Sequence, residues 1–174
     1  MAAAPPPDLR TEALAAHHDR AAFNCGTESL DDYLRMYAGQ EMKRRANSVF
    51  VLIDPREPTG VLGYYTLCAT SLAHGDVPIA ARKRLPRYPL VSATLIGRLA
   101  VSAARQGQGL GSLLVADAMR RSYASAGFVG SSMLVVDAIS EQAAAFYAAN
   151  GFMRLPESLR LVLPMEAIGK LIVG

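Results

Sequence analysis

Residues 98–120, "RLAVSAARQGQGLGSLLVADAMR", constrain the fold more than any other part of this chain. An apolar segment passes through three closely spaced glycines, Gly107, Gly109 and Gly111, into an apolar pattern of helical period. Glycine weakens a helix by about 1 kcal/mol relative to alanine, so three of them at a helix mouth need a reason. They let the loop curl and let a ligand approach bare backbone. The first amides of a helix have no partner inside it, and the helix dipole makes that end positive, so phosphate binds there readily. Gln106, Gly107, Gln108, Gly109, Leu110, Gly111 and Ser112 therefore read as a cradle for a diphosphate. The competing reading is a tight strand-to-helix turn that holds no ligand. Two other phosphate motifs fit worse. A P-loop needs a Lys after its last glycine, and the dinucleotide fingerprint needs G-x-G-x-x-G where this chain has G-x-G-x-G.

The 174 residues suit one domain, 1–174, with 1–8 as a flexible tail. Apolar residues make up 51% and charged residues 19%, the balance of a soluble globular chain. The start lacks the basic-then-apolar order of a secretory signal. No apolar run approaches the roughly 18 to 20 residues that cross a bilayer, so no membrane is expected. Cys25 and Cys68 have neither metal nor disulfide spacing. This points to a reducing cytoplasm and to no metal site. A net charge of +3 does not argue for nucleic acid, but its distribution is uneven. Lys43, Arg44 and Arg45 form one basic cluster, and Arg82, Lys83, Arg84 and Arg87 form another. Such clusters are either solvated faces or anion contacts.

Periodicity gives the remaining elements. Residues 9–15, 48–54, 61–72, 90–101 and 131–138 read as strands, the second and third antiparallel across a short turn. Thr27 is a plausible N-cap for a helix whose core stripe is Leu30, Tyr33, Leu34, Tyr37 and Ala38. A short helix is expected around 79–85. Another covers 109–126, ended by Gly127 as a C′ residue. Ser140 caps a helix that Asn150-Gly151 stops, and two strands follow within 152–165. Gly97-Arg98 is an odd pair inside a long strand and suggests a bulge or close backbone approach. Strands followed by strand–helix–strand–helix–strand make a mixed α/β (α+β) sheet.

At these residues the chain resembles the GNAT N-acetyltransferases. Gln106-x-x-Gly109-x-Gly111 matches their cofactor loop. "RLAV" at 98–101 matches the strand before it, and "AAAFYAANGF" at 143–152 matches the later helix. The resemblance implies a central sheet of six or seven strands with a splayed V between the fourth and fifth. It implies acetyl-CoA as co-substrate, with its diphosphate on Gln106–Ser112 and its pantetheine along Leu99, Ala100 and Val101. It also implies Tyr147 as the acid that protonates the departing thiolate. From the residues alone, Tyr147 is a core tyrosine with a satisfied hydroxyl.

Further segments, "FNCGTESLDDYLR", "GYYTL", "RKRLP" and "IGRLAV", resemble the GNAT toxins of bacterial type II toxin–antitoxin modules. That subgroup implies acetylation of the α-amino group of aminoacyl-tRNA, with the two basic clusters and Arg98 on the tRNA. It further implies a homodimer and a cognate antitoxin that is a small DNA-binding protein. No general base is evident. His17, His18 and His74 lie outside the matched motifs, and the His17-His18 pair reads as solvated surface. An α-amino group titrates near pH 8 and lower once its carboxyl is esterified, so a strong base is not required. Two alternatives remain open: a GNAT enzyme acting on a small amine or protein N-terminus, and a non-catalytic acetyl-CoA-binding module.

Overall fold

A computed structural model describes residues 8–173, so most of the tail expected at 1–8 lies outside the described residues. Among the described residues seven strands form one sheet: β1 (Arg10–Ala13), β2 (Ser48–Ile53), β3 (Gly63–Ala73), β4 (Leu90–Val101), β5 (Met133–Asp137), β6 (Met153–Arg154) and β7 (Arg160–Pro164). Their order is β1-β2-β3-β4-β5-β7-β6. The helices are α1 (Glu28–Asp32), α2 (Ala38–Lys43), α3 (Ile79–Arg82), α4 (Leu110–Ala126), α5 (Glu141–Ala149) and α6 (Met165–Val173). This is the mixed α/β architecture expected, with strand and helix bounds close to those read from periodicity.

Contacts divide the chain into two units. The first comprises residues up to Thr66 together with Arg98–Leu114. In it β1 runs antiparallel to β2, Arg10 facing Ile53. Its core gathers Phe23, Leu34, Val49, Val51, Tyr64 and Ala100, with Tyr33 stacked on Tyr64. The Tyr64 hydroxyl donates to the Leu30 carbonyl at 2.6 Å, so this buried phenol has its partner. Gly63 is required for a steric reason: a Cβ there would sit 2.8 Å from the Ala100 carbonyl oxygen.

The expected first helix is broken. Between α1 and α2, Tyr33–Tyr37 form a turn of π-helix, in which the Ala38 amide reaches back to the Tyr33 carbonyl. The wider turn shifts the phase of everything after it. Tyr33, Leu34 and Ala38 stay buried, but Tyr37 is 54% exposed and is not part of the core stripe. Thr27 does sit at the N-cap, and its carbonyl accepts the Leu30 and Asp31 amides, but its side chain caps nothing. The neighbouring loop is held instead by buried Asp31, which accepts the Cys25 amide at 2.9 Å.

The second unit comprises Leu67–Gly97 and Val115 onward. Here β4 and β5 are parallel, Ala93 facing Met133 through Ile96 facing Val136. β7 lies antiparallel to both β5 and β6. Leu72, Val91, Ala93, Met133, Val135 and Val162 form its core. Ser140 caps α5 as its sequence position predicts, its hydroxyl accepting the Ala143 amide at 3.1 Å; such a cap stabilises by about 1 kcal/mol. Gly151, at φ +100°, ends that helix. Gly127 ends α4 without a positive φ, its amide bonded to the Ala124 carbonyl, so the expected left-handed C′ is not formed there. α6 was not anticipated at all.

Candidate active site

β4 delivers the chain to the glycine loop. Its register with β5 ends at Ile96, and β4 runs on to Val101. The first unit then folds back on itself. The Ser102 amide donates to Leu62 at 2.9 Å and the Ala103 amide to Asn24 at 2.8 Å. The Gln106 side-chain amide spans two carbonyls, Cys25 at 2.8 Å and Val101 at 3.0 Å. The Val101 carbonyl is thereby engaged by the chain itself. The Gln108 side chain accepts the Arg105 Nε–H at 2.9 Å.

Gly107 and Gly109 have φ of +78° and +79°. A Cβ at either would meet open space, so it is backbone conformation and not crowding that calls for glycine. Among the described residues, the amides of Gln106 through Ser112 donate to no acceptor of the chain outside the helix's own bonds. The first amide of the loop-helix junction with an acceptor is that of Leu113, which reaches the Gly109 carbonyl at 3.2 Å. A run of unpartnered amides at the positive end of the 17-residue α4 suits a polyanion of diphosphate size.

Tyr147 lies in the second unit, on α5, with 6% of its surface exposed. Phe146 and Phe152 meet its ring edge-on, with centroids 5.1 and 5.7 Å away. Burial pushes the phenol pKa well above its ordinary value, so the group holds its proton at any working pH. Among the described residues its hydroxyl makes no hydrogen bond. The reading of a core tyrosine with a satisfied hydroxyl is therefore not met.

The basic residues separate into committed and uncommitted groups. Arg82 donates to the Gly75 carbonyl and twice to the Val77 carbonyl. Arg84 pairs with Glu166. Arg98 lies with its guanidinium carbon 3.6 Å from the centre of the Tyr33 ring. That ring's hydroxyl donates to Glu41, and Asn47 also reaches the same carboxylate. These two hydrogen bonds hold the Glu41 pKa below the ordinary carboxylate range, the Tyr33 bond foremost and Arg98 assisting. Lys43, Arg44, Arg45, Lys83 and Arg87 are exposed.

His18 is not the solvated residue its position suggested. Its ring is fully buried, Nδ1 accepting the Ala15 amide at 2.9 Å and Nε2 lying 2.7 Å from Glu12. An amide can only donate, so Nδ1 is the acceptor and Nε2 carries the proton to Glu12. Glu12, His17 and His18 bring ligand-capable atoms within 4.8 Å of one another, but both His18 nitrogens are occupied in holding the loop. Asp137, at the end of β5, accepts two hydrogen bonds from Arg160, at 2.7 and 2.9 Å. The pair ties the end of β5 to the start of β7.

Residues 45–154 match the acetyltransferase (GNAT) domain. A curated relative from Mycobacterium tuberculosis, described as a tRNA-acetylating toxin, is 37% identical over 150 residues, 85% of this chain and 87% of its own. The solved structure of a tyrosine-to-phenylalanine variant of KacT superposes with a TM-score of 0.88 at 32% identity, over 94% of this chain and 98% of that one. AtaT complexed with acetyl-methionyl-tRNAfMet gives 0.87 at 32% identity, over 95% and 99%. Unpartnered amides at the mouth of α4, the long β4 that leads to them and these likenesses agree, and the chain belongs to the GNAT acetyltransferase family.

Proposed function

We propose that this protein moves an acetyl group from acetyl-CoA to the α-amino group of an aminoacyl-tRNA and so blocks translation as a toxin. The observation that carries the reading is the unpartnered amide run from Gln106 to Ser112. The relative that acetylates tRNA and the tRNA-bound AtaT give it its substrate. The whole chain, 1–174, acts as one catalytic domain. Gln106 to Ser112 hold the diphosphate. The β4 edge at Leu99 and Ala100 offers backbone partners to the pantetheine. The Val101 carbonyl, engaged by Gln106, marks where that pairing stops.

Acetyl-CoA supplies an activated acyl group. The substrate amine attacks the thioester carbonyl, a C–N bond forms, the C–S bond breaks, and the amine's proton leaves to water. β4 amides near Leu99–Val101 stabilise the oxyanion as fixed donors. Tyr147 gives its proton to the departing thiolate and recovers one from solvent; burial keeps the phenol in its acid form between turnovers. The amine needs no strong base, because esterification of the aminoacyl carboxyl keeps a sizeable neutral fraction at pH 7.

Lys43, Arg44, Arg45, Lys83 and Arg87 contact tRNA phosphates, which gives affinity without sequence readout. Arg82, Arg84 and Arg98 support those surfaces from within the chain. No described helix is long and apolar enough to cross a membrane. A substrate that belongs to the translation apparatus supports a cytoplasmic location. A tyrosine-to-phenylalanine variant of AtaT has been solved bound to acetyl-CoA and to the C-terminus of the antitoxin AtaR. A KacTA complex has been solved with DNA, which supports an antitoxin partner that binds DNA; the homodimeric state we assign rests on the family resemblance alone.

The test is incubation of the purified protein with acetyl-CoA and bulk charged tRNA, followed by nuclease digestion and mass spectrometry. N-acetyl-aminoacyl adenosine is the expected product. Acetylation of a peptide N-terminus or a small amine in its place would move the assignment to an ordinary GNAT enzyme. Tight acetyl-CoA binding with no turnover on any amine would leave a binding module.

A further inference from the structure

Glu41 uses only one of its two carboxylate oxygens. Its Oε2 accepts both the Tyr33 hydroxyl, at 2.5 Å, and the Asn47 side-chain amide, at 2.7 Å. Its Oε1 accepts nothing among the described residues. Arg98 is the complement. Its guanidinium carbon lies 3.6 Å from the centre of the Tyr33 ring, and none of its N–H donors makes a hydrogen bond or an ion pair among the described residues. We propose that these two side chains read the aminoacyl ester itself: Glu41 Oε1 accepts a hydrogen bond from the α-amino group, and Arg98 donates to the ester carbonyl. This rests on the aminoacyl-tRNA reading above and adds to it the residues that tell a charged tRNA from an uncharged one.

Both residues belong to the first unit and both are half-buried. Tyr33 keeps them apart. Its ring face takes the guanidinium and its hydroxyl takes the carboxylate, so opposite charges are fixed on one side chain without neutralising each other in an ion pair. The Tyr33 bond foremost, with Asn47 and the charge of Arg98, keeps Glu41 ionised.

Charges drawn partly out of water need partners, and hydrogen bonds to charged groups are the strong ones. Here an acceptor and a set of donors stand unused beside one ring. The ligand they suit carries a donor and an acceptor close together. An aminoacyl ester does, since its amine and its carbonyl oxygen are borne by adjacent carbons. A phosphate carries acceptors alone and would set its charge against Glu41, which separates this place from the exposed basic clusters. Arg98 immediately precedes Leu99, where β4 offers its amides to the thioester, so the ester is held next to the strand that presents the acetyl group. A neutral amine can donate one N–H to Glu41 and keep its lone pair for the thioester carbon.

The experiment measures binding of the full chain, without acetyl-CoA, to three forms of one tRNA: aminoacylated, acylated with the corresponding desamino acid, and deacylated. The wild type is expected to bind the aminoacyl form about tenfold more tightly than the desamino form, the worth of one hydrogen bond to a charged group. Glu41→Gln should lose most of that gap, with acetyl-CoA affinity unchanged. Tyr33→Phe, which keeps the ring under Arg98 and frees the carboxylate from its shortest bond, should narrow it. A merely structural Glu41 would weaken all three tRNAs together and leave the gap intact, which overturns its place on the amine. Arg98→Gln should weaken both acylated forms and spare the deacylated one. Equal weakening of all three makes Arg98 a phosphate contact and overturns its place on the carbonyl. A wild type that acetylates charged tRNA yet binds the aminoacyl and desamino forms equally overturns the subsite and spares the function. A wild type that turns over no charged tRNA overturns the function on which the subsite rests.

Discussion

Gln106 donates its side-chain amide to the carbonyl of Val101 at 3.0 Å, tying the glycine loop to the strand it has just left. The same NH₂ group reaches Cys25 at 2.8 Å. One residue therefore sets the curvature of the loop and closes the end of the β4 edge. In Gln106→Ala both bonds are lost, each worth about 0.5–1.5 kcal/mol net. Acetyl-CoA affinity, measured by titration calorimetry, should fall about tenfold, with a small change in melting temperature. Gln106→Glu should be worse, since a carboxylate would face two carbonyl oxygens with nothing to donate.

Gly107→Ala and Gly109→Ala separate conformation from contact. Neither new methyl group meets an atom within 4 Å, so the cost is that of holding a non-glycine residue at φ near +78°. That is about 1–2 kcal/mol, and it falls on the loop. Cofactor affinity should drop while the core, followed by hydrogen exchange of β2 amides, stays intact. Gly63→Ala provides the contrast. Its methyl would crowd the Ala100 carbonyl, so the melting temperature should fall before any cofactor is added.

Tyr147→Phe removes one oxygen and leaves the ring between Phe146 and Phe152. If the phenol protonates the thiolate, kcat should fall by roughly 10²–10⁴ with acetyl-CoA affinity unchanged. Unaltered turnover with charged tRNA would refute the role. The raised pKa also predicts a stability effect with a definite sign. Tyr64 and Tyr147 keep their protons in the folded chain above the pH at which unfolded tyrosine ionises, about 10. Their contribution is therefore complete below about pH 10 and declines as pH rises past it. Tyr147→Phe should blunt the alkaline fall in melting temperature.

Much of this was legible in the residues, and the departures have physical causes. The limits of β4 and α5 follow from β-branched runs and from Ser140 and Gly151, signals that act within a few residues of themselves. The π-turn at Tyr33–Tyr37 left no local mark, because inserting one residue into a helix changes phase without changing composition. It surfaces only as the exposure of Tyr37. α6 had a signal in the spacing of Met165, Ile168 and Ile172, obscured by Gly169 in its middle. The structure explains that glycine: a Cβ there would lie 2.8 Å from the Tyr123 ring. The loop from Gln106 to Ser112 could be read from its glycines, but the reach of Gln106 to Cys25 joins residues far apart in sequence and could not.

Glu41 gives the acid side of the pH profile. Tyr33 and Asn47 hydrogen-bond its carboxylate and hold its pKa below the unfolded value of about 4.3. Its contribution is therefore present above that pH and is lost as pH falls through the folded value. Melting curves of the wild type and Glu41→Gln should differ at pH 7 and converge as the pH is lowered below about 4.

Arg45 gives a case in which stability and function should part. The Arg45 amide bonds to Met42 and the Ala46 amide to Glu41, the pair of bonds that closes a helix through a left-handed residue. Arg45 occupies that left-handed position at φ +58°, where glycine is at ease and a side chain is strained. A chain selected for stability alone would place glycine there. Retaining arginine at the tip of a basic cluster makes sense if its charge is used. Arg45→Gly should raise the melting free energy by up to about 1 kcal/mol while weakening charged-tRNA binding and flattening its salt dependence. Arg45→Lys keeps the charge and should keep the binding. A glycine variant that gains stability and binds tRNA as tightly as the wild type would remove this cluster from the RNA surface.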